Sequence, residues 1–165
     1  MNGLTPKLTK GLIKQSNLEF QASSCYFFKS LWFDFNHYPG SAKYFKKESK
    51  EEYEHGINLL EYVVKRNRLP SESFPVFENK PITYKVPFEL FQSYLDMESE
   101  NLKSLQELYM LAHDERDGLT IDFLSKYLKD QLTALNETES IYNKAKNYAK
   151  IPELYHHLDN DLKHM

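Results

Sequence analysis

"KESKEEYEHGINLLEYVV" (Lys47–Val64) has the composition of a helix, and its apolar side is interrupted by two groups that do not belong there. Phe45, Leu59 and Val63 mark the inward stripe at helical spacing, and the same stripe passes through Ser49, Glu52 and His55. A helix on a soluble protein turns a carboxylate and an imidazole to water unless the interior has a use for them. The remaining segments must supply that use.

The 165 residues suffice for one core, and residues 1–165 are expected to form a single domain. Twenty-one Lys and Arg stand against 24 Asp and Glu, a formal charge of −3, so nothing argues for a nucleic-acid partner. Clusters such as Lys43, Lys46 and Lys47 read as solvated helix surface. The single cysteine, Cys25, excludes an intrachain disulfide and a CxxC metal knuckle. "MNGLTPKLTKGLIKQ" (Met1–Gln15) has no apolar signal core, and no apolar run reaches membrane-spanning length. A cytoplasmic protein with no membrane contact is the expectation.

Helix punctuation sets the architecture. Thr5-Pro6 predicts an N-cap followed by proline at the first helical position, and that helix runs to about Phe35. Ser41 is read as the cap of a second helix reaching about Arg68. Leu69–Val86 holds Pro70, Pro75 and Pro81 without helical period and is read as a long connection. Pro87 opens a third helix that ends near Asp114. A fourth runs from Leu119 or Thr120 to Ala149, and "IPELYHHLDNDL" (Ile151–Leu162) gives a short fifth. Extended chain covers about 3.3 Å per residue against 1.5 Å in a helix, so the long connection can return along a whole helix. The expected fold is all-α: a four-helix bundle with one long crossover between helices two and three and a short fifth helix. Phe74, Phe77 and Tyr84 in the crossover are expected as dimer contacts.

Each inward stripe is apolar at its ends and polar near its middle. The first carries Gln15 and Glu19, the second Glu52 and His55, the third Glu98, the fourth Gln131. Midpoints of packed helices meet in one layer, so Glu19, Glu52, His55, Glu98 and Gln131 should converge. Three ionised carboxylates in an apolar interior are strongly disfavoured without cations. Two divalent ions offset them, and Glu52 and His55, at i and i+3, reach the same ion. Oxygen ligands with one imidazole suit iron or manganese, and zinc less well without a thiolate. Singly, each residue has a plainer reading: solvated charge for "EEYEH", a lysine partner for Glu19, a satisfied core amide for Gln131. Their coincidence at one depth favours a two-metal site.

These residues resemble the non-haem ferritins, a ferritin-like di-iron family. "NLEFQASSCY" (Asn17–Tyr26) looks like the first-helix ferroxidase motif, with Glu19 as an iron ligand and Tyr26 seven residues on. "EEYEH" (Glu51–His55) matches the second-helix motif, with Glu52 as bridging carboxylate and His55 as nitrogen ligand. Glu98 and Gln131 fall at the third-helix glutamate and fourth-helix glutamine. The resemblance implies a ferritin-like fold and an iron-storage protein with ferroxidase activity, oxidising Fe(II) with dioxygen or hydrogen peroxide. It implies two iron ions per subunit, no haem, and a homo-oligomeric, hollow 24-subunit cage. Tyr26 would hydrogen-bond a ligand or donate an electron. The fourth helix reads "KDQLTAL" and lacks the second ExxH of bacterioferritins. Glu51 and Asp130 are weaker candidates for a third iron, because Thr133 and Ala134 offer no carboxylate. The rival functions are a non-storage di-metal enzyme acting on peroxide, and a structural bundle whose polar layer fixes register.

Overall fold

A hydroxyl and a proline start the first helix: Thr5 Oγ1 accepts the Leu8 N–H at 3.2 Å and Pro6 takes the first helical position. The computed structural model describes residues 3–70 and 83–165. They form α1 (Pro6–Phe35), α2 (Pro39–Lys65), α3 (Pro87–Asp114), α4 (Gly118–Tyr148) and α5 (Tyr155–Lys163), the last preceded by a 3-10 turn at Pro152–Leu154. The described residues contain no strand and no helix long and apolar enough to cross a membrane.

Three helices end in the same way without glycine. His37, Asn67 and Arg116 take left-handed φ values of 64°, 59° and 55°. At each, the next residue's N–H closes on a carbonyl one turn back: Tyr38 on Phe33, Arg68 on Val63, Asp117 on Ala112. The turns at His37 and Arg116 reverse the chain at once, which makes α1–α2 and α3–α4 antiparallel hairpins.

Leu4 N–H reaches Arg66 O at 3.2 Å, and the Arg66 guanidinium grips Asp117 at 2.9 and 3.0 Å, so the start of α1 meets the end of α2 and the start of α4. Thr5 also donates to Glu115, just past α3. At the other end Trp32 Nε1 donates to Tyr84 O at 3.3 Å, just ahead of α3. Helices α2 and α3 therefore run parallel, and the chain between them joins opposite ends of the bundle. Tyr84, expected as an exposed dimer contact, is instead half-buried. Its hydroxyl donates to Ser93 and accepts from the buried Lys29 ammonium, each at 3.2 Å. Phe74 and Phe77 lie outside the described residues.

Two boundaries differ from expectation. α2 begins at Pro39, two residues before Ser41, and ends at Lys65 rather than Arg68. Ser41 is no cap because its N–H is itself one of the orphan donors. Asp159 of α5 satisfies it from outside, accepting from Ser41 N–H at 2.6 Å and Gly40 N–H at 3.0 Å. Gly40 allows this approach: a Cβ there would lie 1.9 Å from Asp159 O. Gly40→Ala should therefore displace α5 and cost roughly 2–4 kcal/mol from overpacking and the lost cap. Denaturant unfolding checks it, and a variant as stable as wild type would mean that α5 is not docked there.

The packing of α1 on α2 sets the register of the site. Small residues recur on α1 at Ser16, Ser23 and Ser30, and on α2 at Gly56, Ser49 and Ala42. Ser16 Oγ donates to Gly56 O at 2.9 Å, Ser30 Oγ to Ala42 O at 2.7 Å, and Ser23 and Ser49 bond each other's carbonyls at 2.6 and 2.7 Å. These pairs let the backbones approach closely and leave Glu19 level with Glu52. The core divides into two apolar blocks on either side of that level. One is aromatic, with Tyr26, Phe33, Phe45, Phe91 and Tyr94. The other is mostly aliphatic, with Leu8, Leu12, Leu59, Val63, Leu105 and Leu124. Each such buried side chain contributes about 1.5–3 kcal/mol relative to exposure, so the helices are clamped firmly above and below the polar layer.

Candidate metal centre

The layer between the two blocks holds three nearly inaccessible carboxylates: Glu19 and Glu98 at 1% exposure and Glu52 at 4%. Ligand atoms of Glu19, Glu52 and His55 lie within 4.8 Å of one another, the one such group of three or more His, Cys, Asp or Glu among the described residues. His55 Nδ1 sits 3.4 Å from Glu52 Oε2, as the i, i+3 spacing requires. Glu98 faces the group from α3. Its Oε1 accepts from the Tyr26 hydroxyl at 2.5 Å and its Oε2 from Gln131 Nε2 at 2.6 Å. Five of the six expected site residues on the four long helices thus occupy one layer, with His55 the most accessible, and Tyr26 reaches it with its hydroxyl from the aromatic block.

Three amides tie the layer together, and two of them were not anticipated as site residues. Gln15 Nε2 donates to Glu19 Oε1 at 2.9 Å and to Asn101 Oδ1 at 2.6 Å. Asn101 Nδ2 donates to Gln131 Oε1 at 3.0 Å and, at 3.4 Å, to Glu19 Oε2. Ser104 Oγ closes the network on Gln15 Oε1 at 2.6 Å. Gln15 lay on the inward stripe. Asn101 sits three residues after Glu98, the helical spacing that would have revealed it.

The partners of these carboxylates are a phenol, amides and one imidazole; among the described residues no lysine or arginine is paired with them. Burial pushes Glu19 well above the usual carboxylate range, and its contact with Glu52 pushes the same way. Burial lifts Glu52 to about 7, with repulsion from Glu98 and Glu48 adding to it and the bond to Glu19 opposing. Glu98 is raised by burial against the lowering effect of its Tyr26 and Gln131 bonds. Burial thus favours the protonated form of these neighbouring carboxyls. A divalent cation there would replace those protons and supply the missing charge.

Glu51 and Asp130, the expected third-site residues, are both exposed; Glu51 pairs with Lys47 at 3.8 Å. Neither joins a group of close ligand atoms among the described residues. The reason is directional: Glu51 precedes Glu52 by one residue, about 100° around the helix, and points outward.

Comparison with known proteins agrees with this geometry. Residues 9–147 match the Ferritin family, described as a ferritin-like domain. A bacterial non-heme ferritin of Bacteroides fragilis is 26% identical over 143 residues, covering 87% of this chain and 89% of that protein. One from Staphylococcus aureus is 28% identical over 145 residues, covering 88% and 84%. An open-pore ferritin of the archaeon Archaeoglobus fulgidus superposes with a TM-score of 0.91 at 22% identity over 98% of both chains, which establishes the ferritin fold. A PmFTN variant soaked in iron gives 0.84 at 31% identity over 92% of this chain and 96% of that one. The chain belongs to the ferritin-like family and, within it, is a non-haem ferritin.

Proposed function

We propose that this protein stores iron and oxidises it on entry. The observation that carries the reading is the convergence of Glu19, Glu52 and His55, with the buried Glu98 facing them, from three helices. Iron is the substrate. Glu19 and His55 take one Fe(II), Glu98 takes the second, and Glu52 bridges the two. Gln131 orients Glu98 through its Nε2 hydrogen bond and presents its Oε1 to Asn101. Gln15 and Asn101 hold Glu19 in place before iron arrives, which lowers the cost of ordering the ligands.

Cations in the layer favour the ionised carboxyls of Glu19, Glu52 and Glu98, which burial alone disfavours. Each Fe(II) gives one electron to dioxygen or hydrogen peroxide, and the oxygen-rich ligand set favours the ferric product. Tyr26 holds the second oxygen of the Glu98 carboxylate and keeps that side chain from swinging away. The ferric product leaves the layer for storage inside a homo-oligomeric shell of 24 subunits in the cytoplasm. Glu51 and Asp130 remain the weaker candidates for a third iron.

Assembly mass and iron loading test the reading together. A particle of about half a megadalton, 24 times the 19.6 kDa chain, should retain far more than two iron ions per subunit after aerobic addition of Fe(II). A small oligomer with two tightly held metals would instead identify a redox enzyme on the same bundle. Absence of any metal uptake would leave only a structural role for the layer.

A further inference from the structure

Beyond the ligands, the aromatic block contains three phenols in a row, Tyr26, Tyr94 and Tyr44, at 0%, 1% and 2% exposure. The Tyr26 and Tyr94 rings meet edge to face at 5.0 Å. The Tyr94 and Tyr44 hydroxyls are 3.1 Å apart, and Tyr94 donates to Glu48 Oε2, also at 3.1 Å. Because the Tyr94 hydrogen points at Glu48, Tyr44 must donate to the Tyr94 oxygen. Packing alone does not call for this. Phenylalanine would fill the same volume, as Phe33, Phe45 and Phe91 do around them, without a hydroxyl to satisfy.

The row leads outward. Tyr26 touches Glu98 in the metal layer. Tyr44, at the far end, lines a surface depression of about 340 Å³ together with Lys43, Lys47, Leu162, Lys163, His164 and Met165. All three phenols are buried away from water, so an oxidised one must pass its proton to a group in contact. Each oxidation needs a base in contact. Glu98 serves Tyr26, and Glu48 serves Tyr94.

We propose that Tyr94 and Tyr44, with Glu48 as proton acceptor, form a relay that carries one-electron oxidising equivalents from Tyr26 to the α2–α5 depression. The proposal rests on the iron-oxidation reading above. When Fe(II) meets hydrogen peroxide, the pair yields Fe(III), hydroxide and a hydroxyl radical. That radical takes an electron from Tyr26 and becomes hydroxide, while the Tyr26 proton passes along its hydrogen bond to Glu98, leaving a Tyr26 phenoxyl. An electron then passes from Tyr94 to Tyr26. The proton lost by Tyr94 goes to Glu48, and Glu98 returns its proton to Tyr26. Tyr44 then re-reduces Tyr94 by a hydrogen atom along their shared hydrogen bond. The phenoxyl ends at Tyr44, beneath lysines that attract an anionic reductant.

Freeze-quench electron paramagnetic resonance of the assembled protein, mixed with Fe(II) and hydrogen peroxide, tests this, with ascorbate as the reductant. Wild type should give a tyrosyl signal that ascorbate discharges. Tyr94→Phe keeps the ring and removes the hydroxyl. Its signal should collapse to a single species, and the ascorbate-dependent decay should be lost. Tyr44→Phe should lose the same decay, whereas Tyr109→Phe, on α3 away from the row, should match wild type. An unchanged signal and decay in Tyr94→Phe would overturn the relay, as would no tyrosyl signal in a wild type that oxidises Fe(II) normally. Failure of wild type to oxidise Fe(II) at all would overturn the functional reading and the relay with it.

Discussion

Replacing Glu52 and His55 together by alanine slows Fe(II) oxidation by at least about 100-fold, since loss of outer partners alone costs about 10–100-fold at metal sites. In the proposed centre Glu52 bridges the two iron ions, and His55 is the one histidine in the group of close ligand atoms among the described residues. The loss should be in oxidation rather than in folding. The clamping blocks above and below the layer contain neither residue, and removing a desolvated carboxyl relieves repulsion while opening a small cavity. Circular dichroism and assembly mass check that the variant folds. Glu52→Gln provides a second route, keeping the volume while removing the charge. Stopped-flow ferric absorbance reads the rate. Oxidation as fast as wild type in a folded variant would remove this layer as the site of chemistry.

Stability of the metal-free protein should fall as pH rises from 5 to 8, against the usual trend for acidic groups. Glu52 titrates near 7 in the fold against an ordinary 4.5, with Glu19 and Glu98 displaced in the same direction and Glu48 also near 7. A raised folded pKa means that the native state binds more protons than the unfolded chain across that interval. The stabilisation is complete below about pH 4.5 and lost as pH climbs through 7. Glu52 alone accounts for roughly 3 kcal/mol, at about 1.4 kcal/mol per unit of displacement from 4.5 to about 7. Asp117 shifts the other way: burial alone would raise it, but its Arg66 bonds hold it below 3.8, and its loss falls beneath this pH window. Excess Zn(II) or Co(II), which do not oxidise, should reverse the slope, with about 2.7 kcal/mol gained at 100 times the dissociation constant. Calorimetry with and without the ion decides. A flat or rising metal-free profile would show that these carboxyls are not buried together.

Helix existence and the long connection were legible because proline, polar runs and a helical period mark them directly. So was the depth of Glu19, Glu52, Glu98 and Gln131, since each interrupts an otherwise apolar stripe. What escaped was relational. Ser41 looked like a cap because serine before a helix usually is one, yet the acceptor is Asp159, 118 residues later. Asn101 carried no signal of its own, and only the approach of Gln15 and Gln131 gives it partners. Tyr84 looked exposed because a proline-rich stretch hides no period, whereas Lys29 gives its hydroxyl an interior bond. The serine register on α1 was readable in principle at its spacing of seven, but its meaning depends on Gly56, Ser49 and Ala42 on the facing helix.

The Asp159 carboxylate ties the beginning of α2 to a segment made much later. During synthesis, a nascent chain that has not yet reached that aspartate has a second helix with a frayed start, about three turns ahead of Glu52. The start of the helix that carries Glu52 and His55 is therefore completed only when α5 docks, which couples the C-terminal helix to the order of that helix.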